Sequence, residues 1–270
     1  MVSFKLATAA LLATSALAAP HGQSHHHNKR LTNKRLTNKR GAAYTVPSLV
    51  HPVSESVSWA YDWNMLPNGI LPTGPEYVPM LWGSKMFGGW GTAIQTMLSS
   101  GSKYILGFNE PDMAHQANMS PSDAVSSYLN YITPYAGQAT LISPAVSNGD
   151  GPSQGLNWLK TFMDSCGECN IGGLAVHWYG ESAEDFKNFV SKAIDLGNQY
   201  GISEIWVTEF ALNSALSGGD PSKSADFLQQ AMPWLDSQPN VARYAYFMCE
   251  TGHLLDSPNT LSITGQTYTS

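Results

Sequence analysis

Two apolar stretches separated by a helical segment decide the fold: Gly-Leu-Ala-Val-His-Trp-Tyr at residues 173–179 and Glu-Ile-Trp-Val-Thr-Glu-Phe at residues 204–210. Each has the length and the near-continuous apolar and aromatic character of a strand that is covered on both faces of a parallel sheet. Between them, Ser182 is predicted to cap a helix that runs to about Leu196, with apolar residues recurring on one face. The sequence therefore predicts a strand–helix–strand unit joining two parallel strands.

The same alternation extends over residues 41–270 and predicts eight strands. Two further helices begin with capping signals, at Ser120-Pro121 ahead of Ala124–Tyr135 and at Asp220-Pro221. The predicted strands are Gly41–Thr45, Val57–Trp63, Glu76–Trp82, Lys103–Asn109, Ala139–Val146, Gly173–Tyr179, Glu204–Phe210 and Val241–Cys249. Eight strands alternating with helices in an α/β chain of this length predict a small (β/α)8 TIM-type barrel.

One or two helices of this barrel are predicted to be missing or shortened. The segment Met65–Pro75 is rich in Pro and Gly and has no helical period, and few residues follow His253. A doubly wound open sheet is the structural alternative. It is disfavoured because no Gly-x-Gly-x-x-Gly phosphate turn follows any predicted strand.

Residues 1–40 have the features of a removable leader. Residues 1–18 combine a positively charged start, an apolar run and a small-residue cleavage site, which predicts a secretory signal peptide. Residues 19–40 are predicted to be a propeptide because Asn-Lys-Arg ends at Arg30, Arg35 and Arg40, and Lys-Arg pairs are typical of processing sites in eukaryotic secreted proteins. We therefore predict a mature N-terminus at Gly41 and a single domain over residues 41–270; a solvated tail is the alternative for the repeats.

The charge of the mature region excludes several classes of partner. Residues 41–270 contain 7 basic and 20 acidic side chains. A net charge near −13 argues against nucleic acid, which is bound through Lys and Arg, and against anionic lipid surfaces. The apolar run of the leader is too short for a membrane-spanning helix, so no membrane insertion is expected.

The three cysteines are predicted to have structural roles and no catalytic or metal-binding role. Cys166 and Cys169 have redox spacing but follow no strand, so a local disulfide is predicted, and Cys249 is predicted to be a buried thiol. The sequence offers no zinc-ligand spacing, and neither a metal nor a cofactor is expected.

Position in the predicted barrel sorts the charged residues by role, since groups at strand exits line the active site and groups at strand starts stabilise. Arg243 lies early in the last strand and is predicted to form an ion pair at the barrel floor. Glu110 ends the fourth strand, and Glu209 lies in an apolar run of the seventh strand, where a carboxylate is costly unless it is paired or used. Two facing carboxylates are what glycosidic cleavage requires.

Aromatic residues at the strand exits predict a sugar-binding rim, because flat rings with polar edges stack on sugars. The candidates are Trp59, Trp63, Trp82 and Trp178, although core packing is the common role of any single Trp. His177 and Tyr179, beside Trp178, are also predicted to contact the substrate, and Tyr179, or else His177, to donate the hydrogen bond that orients the nucleophile.

Several segments together resemble a known family. They are Val57–Trp63, Val78–Trp82, Phe108–Asp112, Ser143–Ala145, Ala175–Tyr179, Val207–Phe210 and Arg243–Cys249. Asn109-Glu110-Pro111 and Trp206–Phe210 are similar to the signatures of the fourth and seventh strands in clan A glycoside hydrolases. The whole set resembles glycoside hydrolase family 128, the fungal β-1,3-glucanases of the alkali-sensitive-linkage-protein type.

The resemblance implies a retaining mechanism with Glu110 as acid/base, Glu209 as nucleophile and Asn109 bonded to the sugar 2-hydroxyl. It further implies β-1,3-glucan as the substrate. With the predicted signal peptide, we expect a secreted enzyme that acts as a monomer outside the cell or in the cell wall. Asp62 stands where the family pattern leads us to expect Asn, and this charge is predicted to shift the pH optimum or alter one sugar contact.

Other functions remain open from the sequence. A different β-glucan linkage or a transglycosylase would use the same two carboxylates. A cell-wall protein that binds glucan through the aromatic rim without cleaving it is the alternative outside the enzymes.

Overall fold

The computed structural model describes residues 39–270. The predicted signal peptide, and all of the predicted propeptide except Lys39 and Arg40, lie outside the described residues. An eight-stranded parallel sheet forms the centre of the described chain, and every strand overlaps one predicted run. The strands are β1 (Arg40–Ala43), β2 (Trp59–Tyr61), β3 (Glu76–Tyr77), β4 (Tyr104–Ile105), β5 (Thr140–Val146), β6 (Ile171–Gly180), β7 (Glu204–Leu212) and β8 (Val241–Tyr246).

Hydrogen bonds close this sheet into a barrel. The strand order is β3-β2-β1-β8-β7-β6-β5-β4, and every pairing is parallel. The two ends of the order meet just beyond β3 and β4, where the backbone N–H of Leu106 donates to the oxygen of Pro79 at 2.9 Å and that of Leu81 donates to the oxygen of Leu106 at 3.1 Å. The closure confirms the predicted (β/α)8 TIM-type barrel and excludes the open sheet.

Helices surround most of the barrel, and a short hairpin of β9 (Leu255–Ser257) and β10 (Thr260–Leu261) follows the eighth strand. The helices are α1 (Phe87–Ser99), α2 (Pro121–Tyr131), α3 (Gly155–Asp164), α4 (Ala183–Gln199), α5 (Asn213–Leu216), α6 (Pro221–Ser237) and α7 (Ile263–Thr269). Ser120 and Ser182 cap α2 and α4 as predicted, each accepting from a backbone N–H three residues later at 3.2 Å. None of the helices in residues 39–270 is long and apolar enough to cross a membrane.

Two of the three irregular connections fall where the sequence predicts them; the third, between β1 and β2, was not predicted and contains a 3-10 helix (Pro47–Val53) in place of an α-helix. No α-helix joins β2 to β3, and α7 has only seven residues. Helix α2 is shorter than predicted: it ends at Tyr131 and is followed by a 3-10 turn at Thr133–Tyr135. The reason is Pro134, which has no N–H to donate and whose ring would clash with the helical carbonyl four residues before it.

The floor of the barrel is built around Arg243. Its guanidinium lies 2.8 Å from the carboxylate of Glu76, and its Cζ lies 4.2 Å from the ring centroid of Tyr104 and 4.7 Å from that of Trp206. The ion pair confirms the predicted role of Arg243. Trp59 belongs to the same cluster: it is fully buried, and its ring packs edge-on against that of Trp206 at 5.2 Å.

The cysteines have the predicted states. Cys166 and Cys169 form a disulfide directly after α3. Cys249 is a buried free thiol whose sulfur donates to the backbone oxygen of Leu49. Burial raises the pKa of the Cys249 thiol to about 12, so it stays protonated at physiological pH.

Candidate active site

A cavity of about 420 Å³ opens at the carboxyl ends of the strands. Glu110, in the loop after β4, and Glu209, in β7, both line it. The two carboxylates predicted from the sequence therefore share one cavity, as the parallel arrangement of the strands requires. The full lining consists of Thr45, Trp63, Trp82, Asn109, Glu110, Gln116, Tyr179, Glu209, Phe247 and Met248.

The two carboxylates are close enough to act on one bond. One oxygen of Glu110, one oxygen of Glu209 and one ring nitrogen of His177 all lie within 4.8 Å of one another. Carboxyl groups of retaining glycosidases are about 5–5.5 Å apart, whereas inverting enzymes keep them roughly 6.5–9.5 Å apart to admit a water. The separation in this cavity fits the retaining arrangement.

Hydrogen-bond donors hold both oxygens of Glu209. The indole N–H of Trp63 donates to Oε1 at 2.6 Å, and the hydroxyl of Tyr179 donates to Oε2 at 2.5 Å. Glu209 is only 5% exposed, so these two bonds replace the water that its carboxylate loses on burial. Burial and the nearby charge of Glu209 raise the pKa of Tyr179, which keeps the hydroxyl as a donor. Tyr179 thus makes the predicted hydrogen bond, to the carboxylate of Glu209.

His177 couples the two carboxylates. It is fully buried, and in the β6–β7 register it lies beside Glu209. Its Nδ1 lies 2.9 Å from Oε1 of Glu110, and its Nε2 lies 3.4 Å from Oε1 of Glu209, outside hydrogen-bond geometry. His177 therefore has no surface for a sugar. Its position makes it a partner of the acids and not the substrate contact expected from the sequence.

Charge sharing in this trio shifts two pKa values. Burial alone lowers the pKa of His177, but the carboxylates of Glu209 and Glu110 outweigh it, and the net pKa is raised. Burial alone raises the pKa of Glu110, but the hydrogen bond and charge of His177 outweigh it, and the net pKa is lowered. These opposite shifts mean that Glu110 and His177 titrate as a pair that shares one proton across the 2.9 Å contact, and they favour the imidazole as its site.

The backbone at two of these positions is left-handed. Glu110 has φ of 41°, and Trp63, which donates to Glu209, has φ of 58°. Such a conformation costs a non-glycine residue on the order of 1–3 kcal/mol and persists only where the surrounding structure fixes it. For Glu110 the fixing contact is its N–H, which donates to the backbone oxygen of Ala145 at 2.7 Å.

Asn109 lies beside the acids with one side-chain atom unused. It is 3% exposed and lines the cavity, and its Nδ2 donates to Oε1 of Gln116 at 3.3 Å. Its Oδ1 is buried and has no hydrogen-bond partner among the described residues. An unpaired buried oxygen is costly, so this atom is available to a ligand hydroxyl.

Of the four predicted rim tryptophans, two line the cavity and two do not. Trp63 and Trp82 are half-buried at its edge. Trp59 and Trp178 were predicted wrongly as sugar contacts, because they are 0% and 2% exposed. Trp59 is the first residue of β2 and so belongs to the barrel floor. Trp178 points away from the cavity because strand side chains alternate, and it packs outside the barrel on Phe227.

Asp62 contacts protein and not the cavity. Its carboxylate accepts from the hydroxyl of Tyr77 at 2.6 Å and from the N–H of Asn68 at 2.9 Å. These bonds fix the connection between β2 and β3, which has no α-helix, at the residue next to Trp63. Burial raises the pKa of Asp62, and the hydrogen bonds from Tyr77 and Asn68 only partly offset this.

Several cavity residues were not predicted individually. Phe247 and Met248 follow β8 and are joined by a cis peptide bond, and the ring of Phe247 packs edge-on against those of Trp63 and Tyr179. Their signal was the apolar run of the last strand. Thr45 was predicted as the end of the first strand but lies in the loop after β1, and Gln116 lies in a loop that no pattern in the sequence marked.

The trio of Glu110, His177 and Glu209 has the side chains of a metal site. Its hydrogen bonds argue for a different use. Both oxygens of Glu209 accept from Tyr179 and Trp63, and Nδ1 of His177 is engaged in the hydrogen bond with Glu110. The arrangement therefore fits proton transfer better than metal coordination.

Comparisons with known proteins agree with this geometry. Residues 41–268 match the family model for the glycosyl hydrolase catalytic core. Alkali-sensitive linkage protein 1 of Schizosaccharomyces pombe is 31% identical over 233 residues, which cover 81% of this chain and 41% of that protein. The chain thus spans about two fifths of the length of this relative.

Solved structures extend the similarity to the whole fold. A curdlan-specific exo-β-1,3-glucanase of family GH128, subgroup III, from Blastomyces gilchristii is 44% identical with a TM-score of 0.81, covering 87% of this chain and 99% of that one. A GH128 subgroup I endo-β-1,3-glucanase from Amycolatopsis mediterranei, solved with laminaritriose, is 28% identical with a TM-score of 0.70, covering 86% and 98%. With two carboxylates converging in the barrel mouth, the chain belongs to the glycosyl hydrolase catalytic core family and is a glycoside hydrolase of family 128.

Proposed function

We propose that this protein is a secreted, retaining hydrolase of β-1,3-glucan in which Glu209 is the nucleophile and Glu110 the acid/base. The observation that carries the proposal is the separation of the two carboxylates, whose oxygens lie within 4.8 Å across one cavity. Support for the substrate comes from the solved relatives, which are named as β-1,3-glucanases. Support for secretion comes from the signal-like residues 1–18, and the protein is expected to act as a monomer outside the cell or in the cell wall.

In the first step, an oxygen of Glu209 attacks the anomeric carbon and forms a covalent glycosyl ester. The bond from that carbon to the leaving oxygen breaks, and Glu110 gives this oxygen a proton. In the second step, a water attacks the same carbon while Glu110 takes its proton, and Glu209 leaves as a carboxylate. Two displacements restore the original β configuration.

The neighbours of the acids assist each stage. Tyr179 and Trp63 fix both oxygens of Glu209, which reduces the reorganisation needed before attack. The shared proton moves from Nδ1 of His177 to Glu110 as negative charge develops on the leaving oxygen, so the imidazole acts as a proton reserve for the acid. After glycosylation the proton has departed with the leaving group, so Glu110 is a carboxylate and His177 is neutral. Because Glu209 is then a neutral ester, the imidazole stays neutral, and Glu110 loses the adjacent cation that lowered its pKa and becomes a stronger base towards water.

The lining suits a neutral sugar. None of the described residues that line the cavity is basic, and the nearest exception is Lys85, whose ammonium group lies 3.4 Å from the ring centroid of Trp82. A single cation at the edge favours a neutral glucan over uronate or phosphate polymers. Trp82, Phe247 and Trp63 present rings on which sugar faces can pack, and Oδ1 of Asn109 can accept from the 2-hydroxyl. A 2-hydroxyl contact strengthens in the transition state of such reactions.

The proposal is tested with the purified protein on laminarin-type glucan, with products separated by chromatography. Glu209→Ala is expected to reduce cleavage to background, and Glu110→Ala to reduce it by roughly 10²–10⁴-fold. Glu181→Ala is a matched control, because Glu181 follows β6 at the barrel mouth but bonds to Asn213 outside the cavity. Near-full activity of Glu209→Ala, with the control equally active, would remove the mechanism.

Stereochemistry and anion rescue test the nucleophile directly. The first reducing sugar released should be the β anomer by NMR, and an initial α product would assign an inverting mechanism. Azide added to Glu209→Ala with an activated β-glucoside should form an α-glycosyl azide. A panel of linkage-defined oligosaccharides checks the substrate: preferred cleavage of β-1,4 or β-1,6 linkages contradicts the β-1,3 assignment, and rearranged longer chains identify a transglycosylase.

A further inference from the structure

The last Lys-Arg pair of the leader is part of the folded domain. Lys39 is half-buried, and its ammonium group donates to the backbone oxygens of Leu235 at 3.1 Å, Asp236 at 3.1 Å and Gln238 at 2.7 Å. These three bonds use every donor of the ammonium group. They also add to the hydrogen bonds of carbonyls at and just after the C-terminal end of α6, where the helix carries partial negative charge; those of Leu235 and Gln238 accept from a backbone N–H as well.

Arg40 ties three other elements together. Its Nε donates to the hydroxyl of Tyr244 in β8 at 3.1 Å, and its Nη1 donates to the backbone oxygens of Tyr268 at 3.0 Å and Ser270 at 2.7 Å. Its Nη2 lies 3.6 Å from the carboxylate of Asp236, and the side chain is 12% exposed. The guanidinium therefore joins β8, α6 and the end of α7.

The backbone at this pair is equally engaged. The oxygen of Lys39 accepts from the indole N–H of Trp59 at 3.0 Å and from the N–H of Tyr244 at 2.8 Å, and the oxygen of Arg40 accepts from Ser58 at 2.9 Å. The peptide bond between Arg40 and Gly41 thus lies inside β1, between β2 and β8.

A protease acting at this bond would have to extract a central strand of the barrel. Gly41 is buried, and even a Cβ atom at this position would lie 2.2 Å from the ring of Trp59, so there is no room around the bond. Opening a central strand costs a free energy close to that of global unfolding. The folded domain therefore protects the Arg40–Gly41 bond.

We propose that Lys39-Arg40 is a structural clamp of the catalytic domain, and that dibasic processing of this chain ends at Lys34-Arg35. The processing enzyme is a Lys-Arg-specific endoprotease of the secretory pathway. It hydrolyses the bond after Arg35: water supplies hydroxide to the carbonyl carbon of Arg35 and a proton to the nitrogen of Leu36. The mature chain then begins at Leu36 and keeps the clamp.

Intact-mass measurement and N-terminal sequencing of the full chain secreted from a eukaryotic host test the proposal. We expect Leu36 at the N-terminus. When Lys34 and Arg35 are both changed to Ala, the cut should move upstream, to the bond after Arg30. Gly41 at the N-terminus of either protein overturns the proposal.

Digestion of the purified protein separates protection by the fold from poor recognition of the sequence. The Lys-Arg-specific protease should leave the Arg40–Gly41 bond intact in the folded protein and cut it after heat unfolding. Cutting of this bond in the folded protein at a rate near that of the unfolded chain overturns the proposal.

Matched double substitutions test the clamp itself. Lys39→Ala with Arg40→Ala should lower the melting temperature of the secreted protein by roughly 5 °C or more, whereas Lys34→Ala with Arg35→Ala should leave it unchanged. If Lys39 and Arg40 are normally removed by processing, both double variants should melt at the same temperature as the wild type, and that result refutes the clamp. If the first variant is not secreted, the digestion of the wild-type protein decides.

Discussion

Nδ1 of His177 lies 2.9 Å from Oε1 of Glu110, and the ring that makes this contact is fully buried. The contact means that Glu110, the proposed acid/base, does not titrate alone. The proton that it delivers is held by a pair, and the properties of that pair set the pH range of catalysis.

We expect the basic limb of the kcat/KM profile to lie above pH 6.5, because the pKa of His177 is raised by its two carboxylate neighbours. In His177→Gln the proton rests on Glu110 alone, and the limb should move down by about one pH unit or more. The check is the pH dependence of glucan hydrolysis. A limb that stays in place in His177→Gln contradicts the shared proton.

The same shift affects stability. A group whose folded pKa is raised stabilises the protein fully below its unfolded pKa, and this contribution is lost as the pH rises through the folded pKa. The melting temperature of the wild type should therefore decline above about pH 6.5 more steeply than that of His177→Gln. Parallel curves for the two proteins would show that His177 is neutral in the folded state.

Tyr179→Phe removes one donor to Glu209 and leaves the ring in place. A hydrogen bond to a charged group contributes about 1.5–3 kcal/mol, so kcat should fall roughly 10- to 100-fold with little change in KM. Tyr200→Phe is the matched control, since the Tyr200 hydroxyl donates to the carboxylate of Asp164 on the surface at 2.6 Å. Equal activity of the two variants would contradict the orienting role of Tyr179.

Two tryptophans that look alike in the sequence should respond oppositely to replacement. Trp82→Ala removes a ring from the cavity and should lower kcat/KM by roughly 10-fold with a nearly unchanged melting temperature. Trp178→Ala leaves a void beside Phe227 and should destabilise by about 3–5 kcal/mol while KM stays the same. Kinetics and calorimetry on both variants check the assignment, and a raised KM in Trp178→Ala would contradict it.

Asp62→Asn tests the half-buried carboxylate at the start of the connection between β2 and β3, which has no α-helix. The raised pKa of Asp62 means that the wild type loses stability as the pH rises through that pKa. Asn keeps an acceptor for the N–H of Asn68 and carries no charge, so the variant should gain melting temperature over the wild type between pH 4 and pH 7. Activity should change by less than about 2-fold, because Asp62 does not line the cavity. A variant less stable than the wild type at pH 7 would show that Asp62 is stabilised as a charge.

Much of the fold could be predicted because a barrel strand is covered on both faces, which leaves an apolar run such as residues 204–210 in the sequence. The acids could be predicted because Glu110 and Glu209 interrupt or end such runs. The rim could not be predicted to the same extent. Trp178 lies between His177 and Tyr179 and therefore faces the helices, and Trp59 is the first residue of its strand. Whether a Trp reaches the cavity depends on where its strand begins and ends. Those bounds are set by pairing with the neighbouring strands and cannot be read from the sequence.

Loop residues leave even less trace. Gln116 accepts a hydrogen bond from Asn109 in the cavity, but it lies in a loop whose sequence has no helical or strand periodicity. The contacts of Lys39 and Arg40 with the folded domain could not be predicted because Asn-Lys-Arg occurs three times with the same sequence. Only the hydrogen bonds in the structure distinguish the last copy.

The 2.7 Å contact between Arg40 and the backbone oxygen of Ser270 has a practical consequence. The two ends of the described domain meet at the base of the cylinder, and the cavity opens at the opposite end. A resin, a fusion partner or a surface linker attached at either end would leave the mouth free to meet a solid polysaccharide. A short peptide joining the two ends would also give a circular permutant, with new termini opened in the irregular connection between β2 and β3.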